Sequence, residues 1–272
     1  MQAAAQRESQ LQQSPIAAYF LLTYAVSWLA AFLVAAPYLL RQQAIPKTAG
    51  LLMFPAMLLG PCGVGIFLTR VLDGRGGLRN PGARMRRLRF PARWYAALLI
   101  PPALVLTVLL SLRFYVSPIF TPNFFIAGLV FGCVAGFAEE IGWTGYVFPK
   151  LRHRMGGLKA SLVLGLLWGL WHFPVIDYLG TATPHGRFLF SYFLAFIAAM
   201  TAMRVLIGWV YVHTESVLLA QWMHASSTAS LVIFSPMAAT AGQETCWYAV
   251  YAIVLWMTVS IILLTHGRGA VN

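Results

Sequence analysis

The sequence predicts an all-α, polytopic membrane protein with about eight transmembrane helices enclosing a polar cavity. Of its 272 residues, 60% are hydrophobic and only 10% are charged, whereas a soluble domain usually carries about 25% charged residues. Because this number of charges is too small to cover a water-exposed surface, the composition excludes an ordinary soluble enzyme and a disordered chain. No linker divides the sequence, and residues 1–272 are therefore expected to form a single transmembrane helical domain.

Eight apolar segments are long enough to cross a bilayer, which takes about 20 helical residues. They lie at about 16–40, 51–72, 94–116, 123–149, 159–176, 188–212, 216–235 and 246–265. The polar start of the chain lacks the layout of a signal peptide, so the first segment is expected to be retained as a span.

Basic residues divide unequally between the two sets of connecting segments. The tails and loops on the side of the N-terminus carry 13 Lys and Arg residues, and the opposite loops carry 3. The larger set is Arg7, Arg75, Arg79, Arg84, Arg86, Arg87, Arg89, Arg93, Lys150, Arg152, Arg154, Lys159 and Arg268; the smaller set is Arg41, Lys47 and Arg187. Because cytoplasmic loops collect Lys and Arg, both termini are predicted to be cytoplasmic.

The same placement accounts for the net charge of +12 without nucleic-acid binding. Membrane lipids and a peptide or protein substrate are the expected partners, and no nucleic acid is expected. The Ala- and Arg-rich composition is compatible with a bacterial plasma membrane.

Four ionisable residues lie inside the apolar segments: Glu139, Glu140, His172 and His224. A charged side chain in the bilayer core costs at least about 2.5–3.5 kcal/mol on insertion scales, so such residues are functional candidates by default. Counted from the cytoplasmic ends of their spans, Glu139, His172 and His224 lie roughly 16, 20 and 14 Å deep. Three helices therefore place an acid or an imidazole at a similar level, which favours one shared polar cavity.

Carboxylates and imidazoles in a dry cavity can hydrolyse an amide in two ways. A carboxylate can take a proton from water, while an imidazole orients that water or stabilises the oxyanion. Alternatively, Glu139, His172 and His224 complete the three-ligand set of a catalytic metal such as zinc. Both alternatives give a hydrolase, and the residues alone leave the choice open.

Three motifs resemble those of the CAAX protease and bacteriocin-processing (CPBP, or Abi) family of intramembrane proteases. Residues 139–149, EEIGWTGYVFP, resemble the first motif, which is usually written EExxxR. Trp168 followed four residues later by His172 resembles the second motif, and His224 followed four residues later by Thr228 resembles the third. The motifs occur in the family's order within about 123–235.

The resemblance implies a membrane endopeptidase of the type II CAAX prenyl endopeptidase class. It implies that Glu139 is the general base and that Glu140 assists it or fixes the geometry of the motif. It implies that His172 and His224 hold the water and stabilise the oxyanion, or bind a metal, with Thr228 as a further hydrogen-bond donor. The family has been described both as metalloproteases and as metal-free glutamate proteases, and it includes enzymes that trim prenylated C-terminal tails. The resemblance therefore implies a peptide or protein substrate of a lipidated or membrane-embedded kind.

Two positions depart from the family's pattern, since Thr144 replaces the usual Arg and Thr228 the usual Asn. Both changes remove hydrogen-bond donors. Arg204, inside the sixth span, either pairs with a carboxylate in place of the missing arginine or extends to the membrane surface. A catalytically degenerate scaffold of the same family and a proton-coupled membrane transporter are therefore the alternative functions.

Small and aromatic residues surround the motifs. Gly128, Gly132 and Gly136 precede the glutamates, and Gly165 and Gly169 precede His172, all at four-residue spacing that lets membrane helices approach closely. We expect these glycines to bring the fourth and fifth spans together. Four tryptophans are expected to wall the cavity or to fill the bundle: Trp143, Trp168, Trp171 and Trp222.

Overall fold

The computed structural model of the protein describes residues 2–72, 74, 79–87 and 89–266, and these residues form helices joined by connecting segments, with no strand among them. Twelve α-helices occur in the described part: α1 Gln2–Leu40, α2 Lys47–Met57, α3 Gly65–Leu72, α4 Arg79–Met85, α5 Ala92–Ala96, α6 Ile100–Tyr115, α7 Gly128–Gly142, α8 Phe148–Met155, α9 Gly157–Trp171, α10 Leu189–Thr214, α11 Val217–Ile233 and α12 Ala241–His266. Arg75 and Arg268, which enter the count of basic residues, lie outside the described residues.

Each predicted span corresponds to one helix or to helices in series. In the described part, five segments are long and apolar enough to cross a membrane: Pro15–Leu40, Lys47–Leu72, Ala92–Tyr115, Gly186–Thr214 and Ala241–Thr265. The helices α9 and α11 are shorter apolar helices, and α7 continues through a π-helical turn, Trp143–Val147, into α8. The prediction of an all-α polytopic membrane protein is confirmed.

The glycines of α7 face α11, and this pair makes the most extensive helix contact among the described residues. A Cβ atom at Gly136 would lie 2.6 Å from the backbone nitrogen of Ala225, and one at Gly132 would lie 2.7 Å from that of Ala229. No larger residue fits at such distances without a shift of backbone. The close-packing role predicted for these glycines is confirmed, but the expected partner was wrong, because α7 packs on the seventh span rather than on the fifth.

The glycines of α9 face α10 in the same way. A Cβ atom at Gly165 would lie 2.7 Å from the Cα atom of Thr201, and one at Gly169 would lie 3.1 Å from that of Ile197. Two closely packed helix pairs result, α7 with α11 and α9 with α10. They carry Glu139, Glu140, His224 and Arg204, and His172 directly follows α9.

Hydrogen bonds join the connecting segments at one end of the bundle, which we call the basic end. Arg152 Nη1 donates to Glu215 Oε1 at 3.0 Å, and Ser216 Oγ donates to the carbonyl oxygen of Arg87 at 3.0 Å. These contacts bring together residues 79–93, 148–159 and 214–217.

The connecting segments of the opposite end, which we call the mouth end, are joined independently. Thr181 Oγ1 donates to the carbonyl oxygen of Pro236 at 2.9 Å. Lys47 Nζ donates to the carbonyl oxygens of Gly180 and Thr181 at 3.1 and 3.0 Å, and the backbone N–H of Asn123 donates to the carbonyl oxygen of Phe234 at 3.3 Å. The mouth end comprises residues 41–47, 116–127, 172–188 and 234–240.

Candidate active site

A cavity of about 330 Å³ opens between the helices, and four of the five predicted site residues line it. They are Glu139 from α7, His172 just after α9, and His224 and Thr228 from α11. The structure thus brings side chains of three spans to one cavity. The rest of the wall near these groups is apolar, and His172 packs against Phe54 and Phe196 with ring centroids 6.1 and 5.0 Å away.

Glu139 is fully buried, and its two carboxylate oxygens have different surroundings. Oε2 accepts hydrogen bonds from the indole nitrogens of Trp168 at 2.6 Å and Trp143 at 3.0 Å. Oε1 has no hydrogen-bond partner among the described residues. Because a buried polar atom normally has a partner, Oε1 is the oxygen that is open to a group inside the cavity.

Glu140 is also fully buried but does not line the cavity. Its Oε1 accepts from Arg204 Nη2 at 2.6 Å, and its Oε2 accepts from Arg204 Nη1 at 2.8 Å and from the hydroxyl of Thr144. Such two-point guanidinium–carboxylate pairs fix geometry as well as charge. Arg204 therefore pairs with a carboxylate and does not extend to the membrane surface, since only 1% of its surface is exposed.

Arg204 therefore makes the pair with Glu140 that an arginine at 144 was expected to make, but it comes from α10. Its guanidinium lies 4.5 Å from the centroid of the Trp168 ring, and Nη1 is 3.3 Å from Thr144 Oγ1. Gly165 on α9 leaves room for its stem, because a Cβ atom there would lie 3.0 Å from the Cβ of Arg204. This contact depends on how α9 and α10 pack, so no sequence pattern specifies it.

Each imidazole is oriented through its Nδ1 atom. His224 Nδ1 donates to Glu140 Oε1 at 2.8 Å, and His172 Nδ1 donates to the carbonyl oxygen of Trp168 at 2.8 Å. A carbonyl oxygen only accepts, and a carboxylate paired with Arg204 is an acceptor as well. In the neutral state, both rings therefore carry the proton on Nδ1 and leave Nε2 as a hydrogen-bond acceptor.

The tryptophans near the motifs have distinct roles. Trp168 and Trp143 bind Glu139 directly, whereas Trp222 is 44% exposed and packs only at the outside of the bundle against Phe137. From the sequence we expected the tryptophans to wall the cavity or to fill the bundle. That expectation missed the hydrogen bonds that the indoles of Trp168 and Trp143 donate to Glu139. The four-residue spacing from Glu139 to Trp143 is a signal that could have found one of them, since residues four apart share a helix face.

The candidate metal ligands do not form a three-ligand set. Among the described residues, no group of three or more His, Cys, Asp and Glu side chains is placed to hold a metal ion. The hydrogen bonds at Nδ1 of His172 and His224 would suit two metal-ligating imidazoles, but a catalytic zinc usually takes three protein ligands. The arrangement therefore fits a metal only in part.

The cavity is closed toward the basic end by buried aromatic residues. Tyr19 packs on both Trp143 and Tyr146, with ring centroids 5.5 and 5.2 Å away. All three side chains are at most 3% exposed. The π-helical turn after α7 carries Trp143 and Tyr146 past Glu139 in the direction of α8, so this layer separates the site from the basic end.

Comparison with known proteins matches the part of the chain that holds the site. Residues 121–230 match the family described as type II CAAX prenyl endopeptidase Rce1-like. The CAAX prenyl protease 2 of Methanococcus maripaludis is 33% identical over 138 residues, which is 47% of this chain and 51% of that relative. The chain thus matches about half the length of this curated relative, and the resemblance to the CAAX protease family that the motifs indicated is confirmed.

Proposed function

We propose that this CAAX protease-like chain is a membrane-embedded endopeptidase that hydrolyses a peptide bond with water activated by Glu139. The observation that carries the proposal is the convergence of Glu139, His172 and His224 on one cavity. The family match supports the reaction class. The open Oε1 atom of a buried carboxylate supports the role of Glu139.

In the proposed reaction, Oε1 of Glu139 takes a proton from a water molecule in the cavity. The second O–H of that water donates to the Nε2 atom of one of the two histidines, His172 or His224, and this hydrogen bond orients it. The resulting hydroxide attacks the carbonyl carbon of the substrate, and the tetrahedral intermediate then expels the amine. The protonated Glu139 returns its proton to the leaving nitrogen, so the products are a carboxylic acid and a free amine, and the acid then gives its proton to the amine or to water.

The remaining groups orient this machinery. The indoles of Trp143 and Trp168 hold Oε2 of Glu139, so that Oε1 is directed to the reaction. Glu140 aligns His224 through Nδ1, and we assign it this positioning role rather than that of a second base. Thr228 lines the cavity and is the proposed hydroxyl donor to the oxyanion, because it can donate one hydrogen bond.

We propose that this chemistry is metal-free, since no third ligand joins the two histidines as a set in the described part. Metal content of the purified protein, measured with and without a chelator, tests this proposal. Activity without stoichiometric metal is the expected result. Stoichiometric zinc that is lost together with activity would overturn it and would assign Glu139, His172 and His224 as ligands.

Glu139→Gln is the variant that tests the general base. It keeps an oxygen that can accept from the indoles but cannot take the proton, and the loss of a general base costs about 10²–10⁴-fold in rate. The matched control is Glu215→Gln, because the Glu215 side chain is 44% exposed at the basic end. Membranes from cells with each variant are compared by proteomics for new peptide termini.

Termini that depend on the wild-type protein should be absent with Glu139→Gln and present with Glu215→Gln. Their persistence with Glu139→Gln would refute the base assignment. A non-catalytic scaffold predicts no dependent termini in either case. A proton-coupled transporter instead predicts substrate-dependent proton flux in liposomes and a path to both membrane faces, which the aromatic layer beneath the site does not favour.

A further inference from the structure

We propose that Glu244 and His185 are positioning residues for the proposed reaction, because together they fix one wall of the active-site cavity. This wall is formed by residues 179–182, which we call the wall segment. Its effect on a peptide substrate rests on the function proposed above, whereas its anchoring rests on the contacts described below. Neither Glu244 nor His185 is among the residues that line the cavity, so both act through the backbone that they hold.

The wall segment has an irregular backbone that other parts of the chain hold in place. Three of its residues line the cavity: Leu179, Gly180 and Thr181. Because an irregular backbone leaves N–H and C=O groups without helical partners, the position of the segment depends on side chains from elsewhere. Tyr192 of α10 donates to the carbonyl oxygen of Leu179 at 3.1 Å, and Lys47 at the start of α2 donates to the next two carbonyl oxygens.

Glu244 of α12 supplies the partners of the N–H groups. Its side chain is fully buried, and it accepts from the backbone N–H of Thr181 at 3.0 Å and from that of Ala182 at 2.9 Å. Gly180 allows this approach, since its φ of +101° favours glycine and a Cβ atom there would lie 2.2 Å from Glu244 Oε1. The wall segment is therefore shaped to receive a carboxylate at this point.

His185 joins this carboxylate to the residues that precede the wall segment. Its side chain is fully buried, with Nε2 3.4 Å from Glu244 Oε2 and Nδ1 2.9 Å from Asp177 Oδ1. A neutral imidazole has only one N–H, so two flanking carboxylates favour the doubly protonated ring. Burial lowers the pKa of His185, but these two carboxylates raise it more, and the pKa lies above its ordinary value.

The other titratable groups around His185 do not replace this charge. Tyr192 stacks on the imidazole with ring centroids 4.0 Å apart, and Tyr248 of α12 packs on Tyr192, but tyrosines are neutral where histidine titrates. Lys47 is bonded to the carbonyl oxygens of the wall segment, and Arg187 lies over the ring of Phe188. Loss of the His185 proton therefore leaves a bare ring nitrogen facing a carboxylate, and this repulsion loosens the wall segment.

The anchoring should act on substrate binding more than on the chemical step. The wall segment supplies no reacting group, and Glu139, His172 and His224 are oriented by hydrogen bonds of their own. A displaced wall loses contacts that the substrate makes equally in the ground state and in the transition state. Such a loss raises KM and leaves kcat nearly unchanged.

Hydrogen exchange of the full-length protein in detergent, read by mass spectrometry, tests the role of Glu244. Glu244→Ala should speed exchange at Thr181 and Ala182 by about 10–100-fold, the factor of a hydrogen bond to a charged group. Peptides from α11 should be unchanged. Glu215→Ala is the matched control, since that side chain is 44% exposed at the basic end, and it should leave the wall segment protected. Unchanged exchange at Thr181 and Ala182 in Glu244→Ala would overturn the proposal.

A pH series on the wild-type protein tests the role of His185 without any substitution. Exchange of the wall segment, relative to the intrinsic rate at each pH, should rise as the pH passes upward through the pKa of His185. His185→Gln should lack this step, because an amide does not titrate. A wild type without the step, or a variant that retains it, would overturn the role of His185, and this series also decides the proposal if Glu244→Ala does not fold.

Cleavage kinetics then test the effect on the reaction. The probe is a quenched fluorescent peptide built on a cleavage site that depends on the wild-type protein. Glu244→Ala should raise KM by about 10-fold or more and leave kcat nearly unchanged. A fall in kcat at constant KM would overturn the positioning role. If no cleavage depends on Glu139, the proposed function fails, whereas hydrogen exchange still decides whether Glu244 and His185 hold the wall segment.

Discussion

Arg204→Ala should destabilise the protein strongly, because it removes the partner of a fully buried carboxylate. The substitution deletes the two hydrogen bonds from Arg204 to Glu140, at 2.6 and 2.8 Å. The carboxylate of Glu140 keeps only its contacts with His224 and Thr144. Both partners are almost entirely buried, so water cannot replace the lost guanidinium.

The expected magnitude follows from this burial. Breaking a buried ion pair by removing one partner costs about 3–5 kcal/mol, because it leaves an uncompensated charge. At about 2–4 °C per kcal/mol, the melting temperature should fall by roughly 6–20 °C. Arg113→Ala is the matched control, since Arg113 is exposed near the end of α6, and its effect should stay within about 0.5 kcal/mol.

Thermal unfolding of the purified variants in one detergent measures these effects, and a double substitution isolates the charge. Arg204→Met with Glu140→Gln should be more stable than Arg204→Ala, because it removes the unpaired buried charge. Thr144→Arg should also restore stability in the Arg204→Ala background, since it returns a guanidinium four residues after Glu140. If Arg204→Ala melts like Arg113→Ala, the ion pair does not contribute as the structure implies.

Three further predictions test packing, the base and the mouth end. Gly136→Ala should lower the free energy of unfolding by about 1–3 kcal/mol, because the added methyl group forces α7 away from α11. Gly63→Ala is the control, since a Cβ there meets nothing within 4 Å, and it should unfold like wild type. Equal melting temperatures of the two variants would contradict this reasoning. Trp168→Phe keeps an aromatic ring but removes the hydrogen bond to Glu139, and a hydrogen bond to a charged group contributes about 1.5–3 kcal/mol. Cleavage should therefore slow by about 10–100-fold, and an unchanged cleavage rate would contradict the role assigned to Trp168. Burial lowers the pKa of His185, but the carboxylate of Glu244, 3.4 Å from Nε2, and that of Asp177, hydrogen-bonded to Nδ1, raise it more, so the pKa lies above its ordinary value. The stabilisation of the folded protein by protonated His185 should be complete below the ordinary pKa of histidine and lost as the pH rises through the raised pKa of His185. The melting temperature of the wild type should fall over this pH range, and that of His185→Gln should not.

The spans and the polar candidates could be read from the sequence because both depend on local cost. An apolar run of sufficient length is stable across a bilayer whatever its neighbours are. An ionisable residue such as Glu139 or His224 within such a run is expensive, and it therefore stands out in the linear sequence. The four-residue spacing of Gly128, Gly132 and Gly136 likewise indicated close helix packing before any partner was known.

The partners of these residues were decided only by tertiary packing. Glu139 and Glu140 are consecutive, and consecutive helical residues point about 100° apart, so the sequence alone does not tell which faces the cavity and which meets Arg204. The glycines of α7 fit any smooth helix, and it is the arrangement of the bundle that sets α11 against them. The sequence thus determined which groups must be shielded from lipid, whereas the packing of distant helices determined what shields them, because each such contact joins residues far apart in the chain.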